Sequence, residues 1–408
     1  MMPHRDIARP GHRAMFQPSE PAFWVFAVFI AYGAIRLASA LLDLSGIASS
    51  GWALAWVLVA LYALPAFVLV YELDLYEREP ISLMLGAFAW GAFAATALSL
   101  EAAGWNEVLA LAAGSDAAAR WGPVLVAPLT EEFLKAAGLV LLALIARDEI
   151  DDVMDGFVYG AICGLGFAVV EDVVYFVAAF GGSVGDVAEG FAARVLASGL
   201  YGHVLYTGLI GMGVGYVVTR REDLGVGRRL GVASALAVLG VAGHALWNSP
   251  FLASLYPASP IEGLDRARVV LAVAVRAAPL VIVVVVAITL AHRRERRWLA
   301  GALSVAARGD AMTPEDAAIL ASPGGRRRAV GAMRRRAGRV AGSLLARLQR
   351  EQITLAMLVD RAGAEDDPAV LAQRSRCRTL RLALDAIPGA SPTVDADGPF
   401  GGRPAAAG

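Results

Sequence analysis

The sequence predicts an all-α protein: a polytopic membrane helix bundle of about eight transmembrane helices, followed by a helical cytoplasmic C-terminal tail. Three observations predict it. Hydrophobic residues make up 57% of the 408-residue chain and charged residues only 18%, where a soluble chain carries roughly 25% charged residues. Eight stretches of the chain approach the ~20 mostly apolar residues that a helix needs to cross a bilayer. The charge is also split: residues 1–292 carry a net −9 and residues 293–408 a net +8, so the overall −1 joins two unlike parts. A disordered chain and a disulfide-stapled secreted one are disfavoured, since Cys163 and Cys377 are the only cysteines.

Residues 1–20 form a polar arm with Arg5, Arg9 and Arg13. It is too long, and lacks a convincing cleavage site, to be a signal peptide, so the run after it is expected to be retained as the first span. The spans fall at roughly 21–42, 52–71, 81–100, 121–146, 153–180, 195–219, 230–250 and 269–291. Even-numbered loops hold Arg78, Arg147, Arg220, Arg221, Arg228 and Arg229, while odd-numbered loops are poorer in arginine. By the positive-inside rule this puts both termini in the cytoplasm of an inner-membrane protein. The domain plan is then an arm (1–20), a bundle (21–292, core motifs 121–250), an arginine-rich helical tail (293–387) and a disordered end (388–408).

Within the tail, Thr313-Pro314-Glu315 is a helix start, with proline at the first helical position. Residues 325–361 and 366–386 read as two helices of a hairpin at the membrane surface. The arginines at 326–328 and 334–336 suit anionic lipid headgroups. No interleaved aromatics accompany them, so no nucleic-acid partner is expected.

Charges inside spans demand a reason, because each costs several kcal/mol unless paired or wet. The fourth span carries Glu131, Glu132 and Lys135, the one lysine in the chain. Glu131 and Lys135 share a helix face and suffice for a structural ion pair; Glu132 leaves a surplus carboxylate. A chain that otherwise uses arginine keeps one compact ammonium here. The fifth span carries Glu171 and Asp172, with Phe167 and Tyr175 one turn either side of Glu171. A helix–helix clasp would also explain this pair. The sixth carries His203 after Gly202, and the seventh His244 after Gly243, with Asn248 a turn later. A lone histidine in a span is usually a packing residue; two, each behind a glycine that lets helices approach, suggest imidazoles near the bundle axis.

A shared hydrated pocket lowers the cost of burying all four clusters, which favours their convergence. Carboxylate and imidazole ligands suit Zn²⁺. The same groups also work without metal, a carboxylate acting as general base on water while His and Asn donate to an oxyanion. HExxH and GxSxG signatures are absent.

In order and spacing these residues resemble the PrsW family of intramembrane proteases, distantly similar to the CAAX prenyl proteases. The matching residues are Glu131, Glu132 and Lys135; Phe167, Glu171 and Asp172; His203; and His244 with Asn248. Asp74, Glu77, Glu79 and Pro80 look like the acidic segment that follows an early span in this family. The resemblance covers about 70–290. In the prenyl-protease relatives the first motif ends in arginine and the second supplies a histidine. Lys135 and Glu171 stand there instead, which leaves the metal question open.

The resemblance implies an endopeptidase acting on a membrane-embedded or membrane-proximal substrate, such as the single-span anti-sigma factor cut by one family member. It implies that Glu131 or Glu132 deprotonates water and that Glu171 and His203 position it or share a metal. His244 and Asn248 would stabilise the oxyanion, and Lys135 would hold a carboxylate ionised. Asp172 belongs to the same catalytic set, with Phe167 and Tyr175 in support. A metal would be held by Glu132, Glu171, His203 and His244. The alternative is a proton- or ion-coupled transporter using the same ionisable cluster, although no internal repeat is found. A non-enzymatic scaffold is a third reading.

Overall fold

The computed structural model describes residues 14–47, 50–73, 79–102, 104–197, 202–221, 224–249, 265–309, 311–362 and 366–390. The arginine arm at 1–13, the acidic stretch at 74–78 and the end at 391–408 lie outside them. Every regular element among the described residues is helical, and the chain divides into two compact units between His292 and Arg293.

The first unit begins with α1 (Pro21–Ile47), α2 (Trp52–Leu73) and α3 (Ile81–Ala89). A π-helical stretch (Trp90–Ala95) leads into α4 (Thr96–Ala102), followed by the short α5 (Trp105–Ala113) and α6 (Ser115–Trp121). A second π stretch (Gly122–Val126) opens α7 (Ala127–Ile145), and α8 (Val153–Ala178) and α9 (Val184–Phe191) follow. A third π stretch (Ala192–Ala197), α10 (Gly202–Thr219), α11 (Val226–Asn248) and α12 (Asp265–Ala306) complete the run. Both cysteines are free and buried.

Seven segments among the described residues are long and apolar enough to cross a membrane, where the sequence predicts eight. The difference is α7, which has the length but carries Glu131, Glu132 and Lys135 within 19 residues. The sixth expected span starts later than its sequence suggests: α10 begins at Gly202, and the residues at 192–197 form wide π turns instead. The unexpected α9 has its signal in plain sight. Ser183 accepts from the Asp186 amide at 3.2 Å and Asp186 from the Ser183 amide at 3.0 Å, a reciprocal cap.

At the centre runs α8, mostly apolar and buried along almost its whole length. Its start is fixed by Asp152, which accepts from Met154 N at 2.7 Å. Gly156, Gly160 and Gly164 recur every fourth residue and form a groove for α10. A Cβ on them would lie 2.2 Å from Gly211 O, 2.4 Å from Thr207 O and 2.1 Å from His203 O. On another side a Cβ on Gly166 would lie 2.1 Å from Phe88 O of α3. Small residues thus let two backbones close on α8, as in small-xxx-small membrane packing. Of Gly202 and Gly243, expected to do this, Gly202 does not: the nearest atom to its Cβ would be 3.8 Å away, whereas a Cβ on Gly243 would lie 2.9 Å from the Leu280 side chain of α12. The approach that sets His203 is Gly164 against the His203 carbonyl itself.

In the second unit, α12 runs unbroken past His292 to Ala306, well beyond the expected span end at 291. Thr313 caps α13 (Pro314–Leu320) by accepting from the Asp316 amide at 3.1 Å, at the helix start read from the sequence. The two expected tail helices are α14 (Pro323–Ala362), interrupted at Gly338 with φ 87°, and α15 (Pro368–Asp385), capped by Asp367. They pack against each other, and Leu348, Leu355, Val370, Cys377 and Leu384 are buried. Burial pushes the Cys377 thiol up to about 12, so at neutral pH it serves as a packing residue.

Candidate functional site

Four helices deliver the expected side chains to one place. Glu131, Glu132 and Lys135 come from α7, one turn after the second π stretch, and all three are buried. Phe167, Glu171, Asp172 and Tyr175 come from α8, His203 from the first turn of α10, and His244 and Asn248 from the last turns of α11.

Lys135 Nζ, fully buried, donates to Glu132 Oε1 at 2.8 Å and to Glu131 Oε2 at 3.5 Å. It also lies 2.8 Å from His203 Nδ1 and 3.6 Å above the Phe167 ring. Glu132 is saturated: besides Lys135 it accepts from Thr207 Oγ1 at 2.8 Å and meets His244 Nδ1 at 3.2 Å. The His244 ring stacks on Tyr206 with centroids 4.9 Å apart. Glu131 makes the longer contacts and borders a cavity of about 380 Å³, which Glu132 and Lys135 do not line. Glu171, Asp172, Tyr175, His203, His244 and Asn248 also face this cavity.

The far side of the His203 ring is held from α8. Nε2 meets Glu171 Oε2 at 3.0 Å. An ammonium has no lone pair to offer, so Nδ1, facing Lys135, is the acceptor and Nε2 carries the proton. Glu171 is itself bound by Arg194, which spans both acids of α8: Nη2 to Glu171 Oε2 at 2.8 Å and Nε to Asp172 Oδ1 at 2.7 Å. Tyr62 OH of α2 donates to the other Asp172 oxygen at 2.8 Å. Tyr175 lies under the Arg194 guanidinium, 3.9 Å from its ring centroid. Asn248 Nδ2 donates to Pro123 O at 2.8 Å, tying the end of α11 to the π stretch before α7.

Glu131, Glu132, His203 and His244 each offer a ligand atom within 4.8 Å of the other three. This differs from the expected ligand set by one residue. Glu171 is drawn to the outer nitrogen of His203 by Arg194, and Glu131, on the same turn as Glu132, takes its position. The donors are oxygens and imidazole nitrogens, the types that bind Zn²⁺. The charge balance also fits a divalent cation. Among the described residues, and with neutral imidazoles, Glu131, Glu132, Glu171 and Asp172 face two cations, Lys135 and Arg194, leaving two uncompensated negative charges in a costly medium.

Sequence reasoning misses Arg194, Thr207, Tyr206 and Tyr62. Thr207 sits one turn after His203 and shares its face, a readable signal. Arg194 reads as a charge of the loop before the sixth span. Tyr62 lies in an uncharged run of α2 and carries no signal of its role.

A family model described as PrsW family intramembrane metalloprotease matches residues 79–291, just over half of the chain. Protease PrsW of Geobacillus kaustophilus is 33% identical over 108 residues, which is 26% of this chain and 45% of that protein. The chain thus spans under half the length of that curated relative. No solved structure matches it.

Proposed function

The chain belongs to the PrsW family of intramembrane metalloproteases, and from that premise we propose that this multi-pass membrane protein is an endopeptidase cutting a membrane-embedded or membrane-proximal protein. The observation that carries the reading is Glu131, a carboxylate on the wall of a 380 Å³ cavity that two imidazoles also line. A peptide entering this cavity meets Glu131 as general base for the attacking water. Glu132 is engaged by Lys135, Thr207 and His244 and serves to hold the group in place. Asn248, on the cavity wall, is assigned as donor to a developing oxyanion, and His244 shares that part where no metal is bound. Lys135 keeps the α7 carboxylates ionised through its charge.

In the metal-dependent form of the reaction, Glu132, His203 and His244 would hold Zn²⁺ by donor chemistry, with Glu131 left beside it to take the proton of the water. Bound there, the ion supplies Lewis-acid stabilisation of negative charge. A single-span protein of the anti-sigma-factor type is the substrate assigned. Both termini are assigned to the cytoplasm of the inner membrane, where the arginines of α14 meet anionic lipids. The family does not favour the transporter alternative.

The test is cleavage of a single-span substrate in proteoliposomes, with elemental analysis of the purified chain. Wild type cleaves, carries about one zinc per chain, and loses both properties to a chelator until zinc is restored. Glu131→Ala, Glu132→Ala and His203→Ala each lower the rate at least ~10²-fold while the protein still inserts. Normal cleavage by all three variants overturns the assignment of the site. Full activity in a metal-free preparation overturns the metal.

A further inference from the structure

We infer that Arg194 is a positioning residue for the metal-binding imidazole of His203, acting through Glu171. The inference rests on the metalloprotease reading above and adds to it a residue whose hydrogen bonds go to Glu171 and Asp172 and not to Glu131, Glu132, His203 or His244.

Arg194 lies in the third π stretch, Ala192–Ala197. Such wide turns are rare and recur at functional sites. Its guanidinium is held on three sides. One edge bonds Asp172 at 2.7 Å, another Glu171 at 2.8 Å, and the face lies 3.9 Å above the Tyr175 ring. Asp172 is in turn fixed by buried Tyr62. A planar fork in such a seat cannot swing away from Glu171.

The Glu171 oxygen bound by Arg194, Oε2, is the one that meets His203 Nε2 at 3.0 Å. With the carboxylate fixed, the ring is fixed in rotation and in tautomer: the proton stays on Nε2, and the Nδ1 lone pair points inward. There it accepts from Lys135 Nζ at 2.8 Å, with Glu132 Oε1 at 3.5 Å and Glu131 Oε2 at 4.0 Å, so a bound metal would take the lone pair over from the ammonium. Carboxylate partners of this kind set the orientation and basicity of ligating histidines. Arg194 holds such a partner in place. An ion pair that only tied the π stretch to α8 would need no shared oxygen with His203.

The experiment is zinc binding by the full-length chain in detergent, by competition with a chelator. Cobalt substitution adds a spectroscopic reading of ligand geometry. Against wild type, Arg194→Gln is expected to bind zinc ~10- to 100-fold more weakly and to show an altered cobalt spectrum. Its kcat falls with the loss of metal, while KM for the substrate stays within a few-fold. Arg194→Lys keeps the charge but not the two-edged fork and recovers part of the affinity. If Arg194→Gln does not fold, the comparison passes to Arg194→Lys: weakened zinc binding supports the inference and wild-type binding overturns it. Wild-type affinity and cobalt spectrum in folded Arg194→Gln overturn this inference alone. A wild-type chain that takes up no zinc and cleaves nothing overturns it together with the reading beneath it.

Discussion

Glu131 and Glu132 are adjacent in sequence, yet a helix turns them ~100° apart and their surroundings differ accordingly. Glu132 is wholly enclosed, with Lys135, Thr207 and His244 on its two oxygens. Glu131 reaches the cavity, and its closest charged partner, Lys135, is 3.5 Å away, with His203 and His244 at 4.0 Å. Removing each charge should therefore do different things. Glu132→Gln leaves a buried ammonium with its best partner gone, a loss on the order of 3–5 kcal/mol, and a clear fall in Tm should follow. Glu131→Gln weakens a longer contact and should leave Tm within a few degrees of wild type while abolishing cleavage. Thermal unfolding in detergent, read beside the cleavage rate, separates them. Equal Tm losses for the two variants would refute the distinction.

The helices that carry the site are brought close by glycines as well as held by apolar side chains, and the consequences are specific to position. A Cβ at Gly164 would fall 2.1 Å from the His203 carbonyl, so Gly164→Ala must push the first turn of α10 off α8. Overpacking of this kind costs about 1–3 kcal/mol, and here it also displaces a candidate ligand. At Gly231, inside α11, an added Cβ would meet nothing within 4 Å. Gly231→Ala should be neutral or stabilising by up to ~1 kcal/mol through helix propensity. The first variant is expected to lose Tm, zinc and activity together, and the second to lose none. Wild-type Tm and activity in Gly164→Ala would show that the contact is not limiting. Much at this scale is readable in the sequence. Charges in apolar runs mark α7, α8, α10 and α11, because burying an ion is expensive enough to require a purpose. The three-glycine spacing of α8 is also visible, but a spacing names no partner, and Gly202 stands out for its neighbour in sequence rather than in space. Arg194 escapes notice because a π stretch has no distinct sequence pattern and an arginine just outside an apolar run looks like a loop charge.

Across the whole molecule, the near-neutral total hides an acidic bundle and a basic tail. From 323 to 350 the tail has nine arginines and no acid. Arg327, Arg328, Arg334, Arg335 and Arg339 are exposed in α14, so their guanidinium groups can reach lipid headgroups. Each arginine near an anionic surface contributes about 1 kcal/mol. The anionic-lipid assignment therefore predicts a salt-sensitive protection. In nanodiscs containing acidic phospholipid the tail of the full-length chain should resist trypsin, and in purely zwitterionic discs it should be cut several-fold faster. Raising salt to ~1 M shortens the screening length to ~3 Å and should abolish the difference, as should replacing the arginines at 334–336 by glutamine. Equal digestion in both discs at low salt would mean that the arginines face water or another partner, and the lipid assignment would fall while the site in the bundle stood.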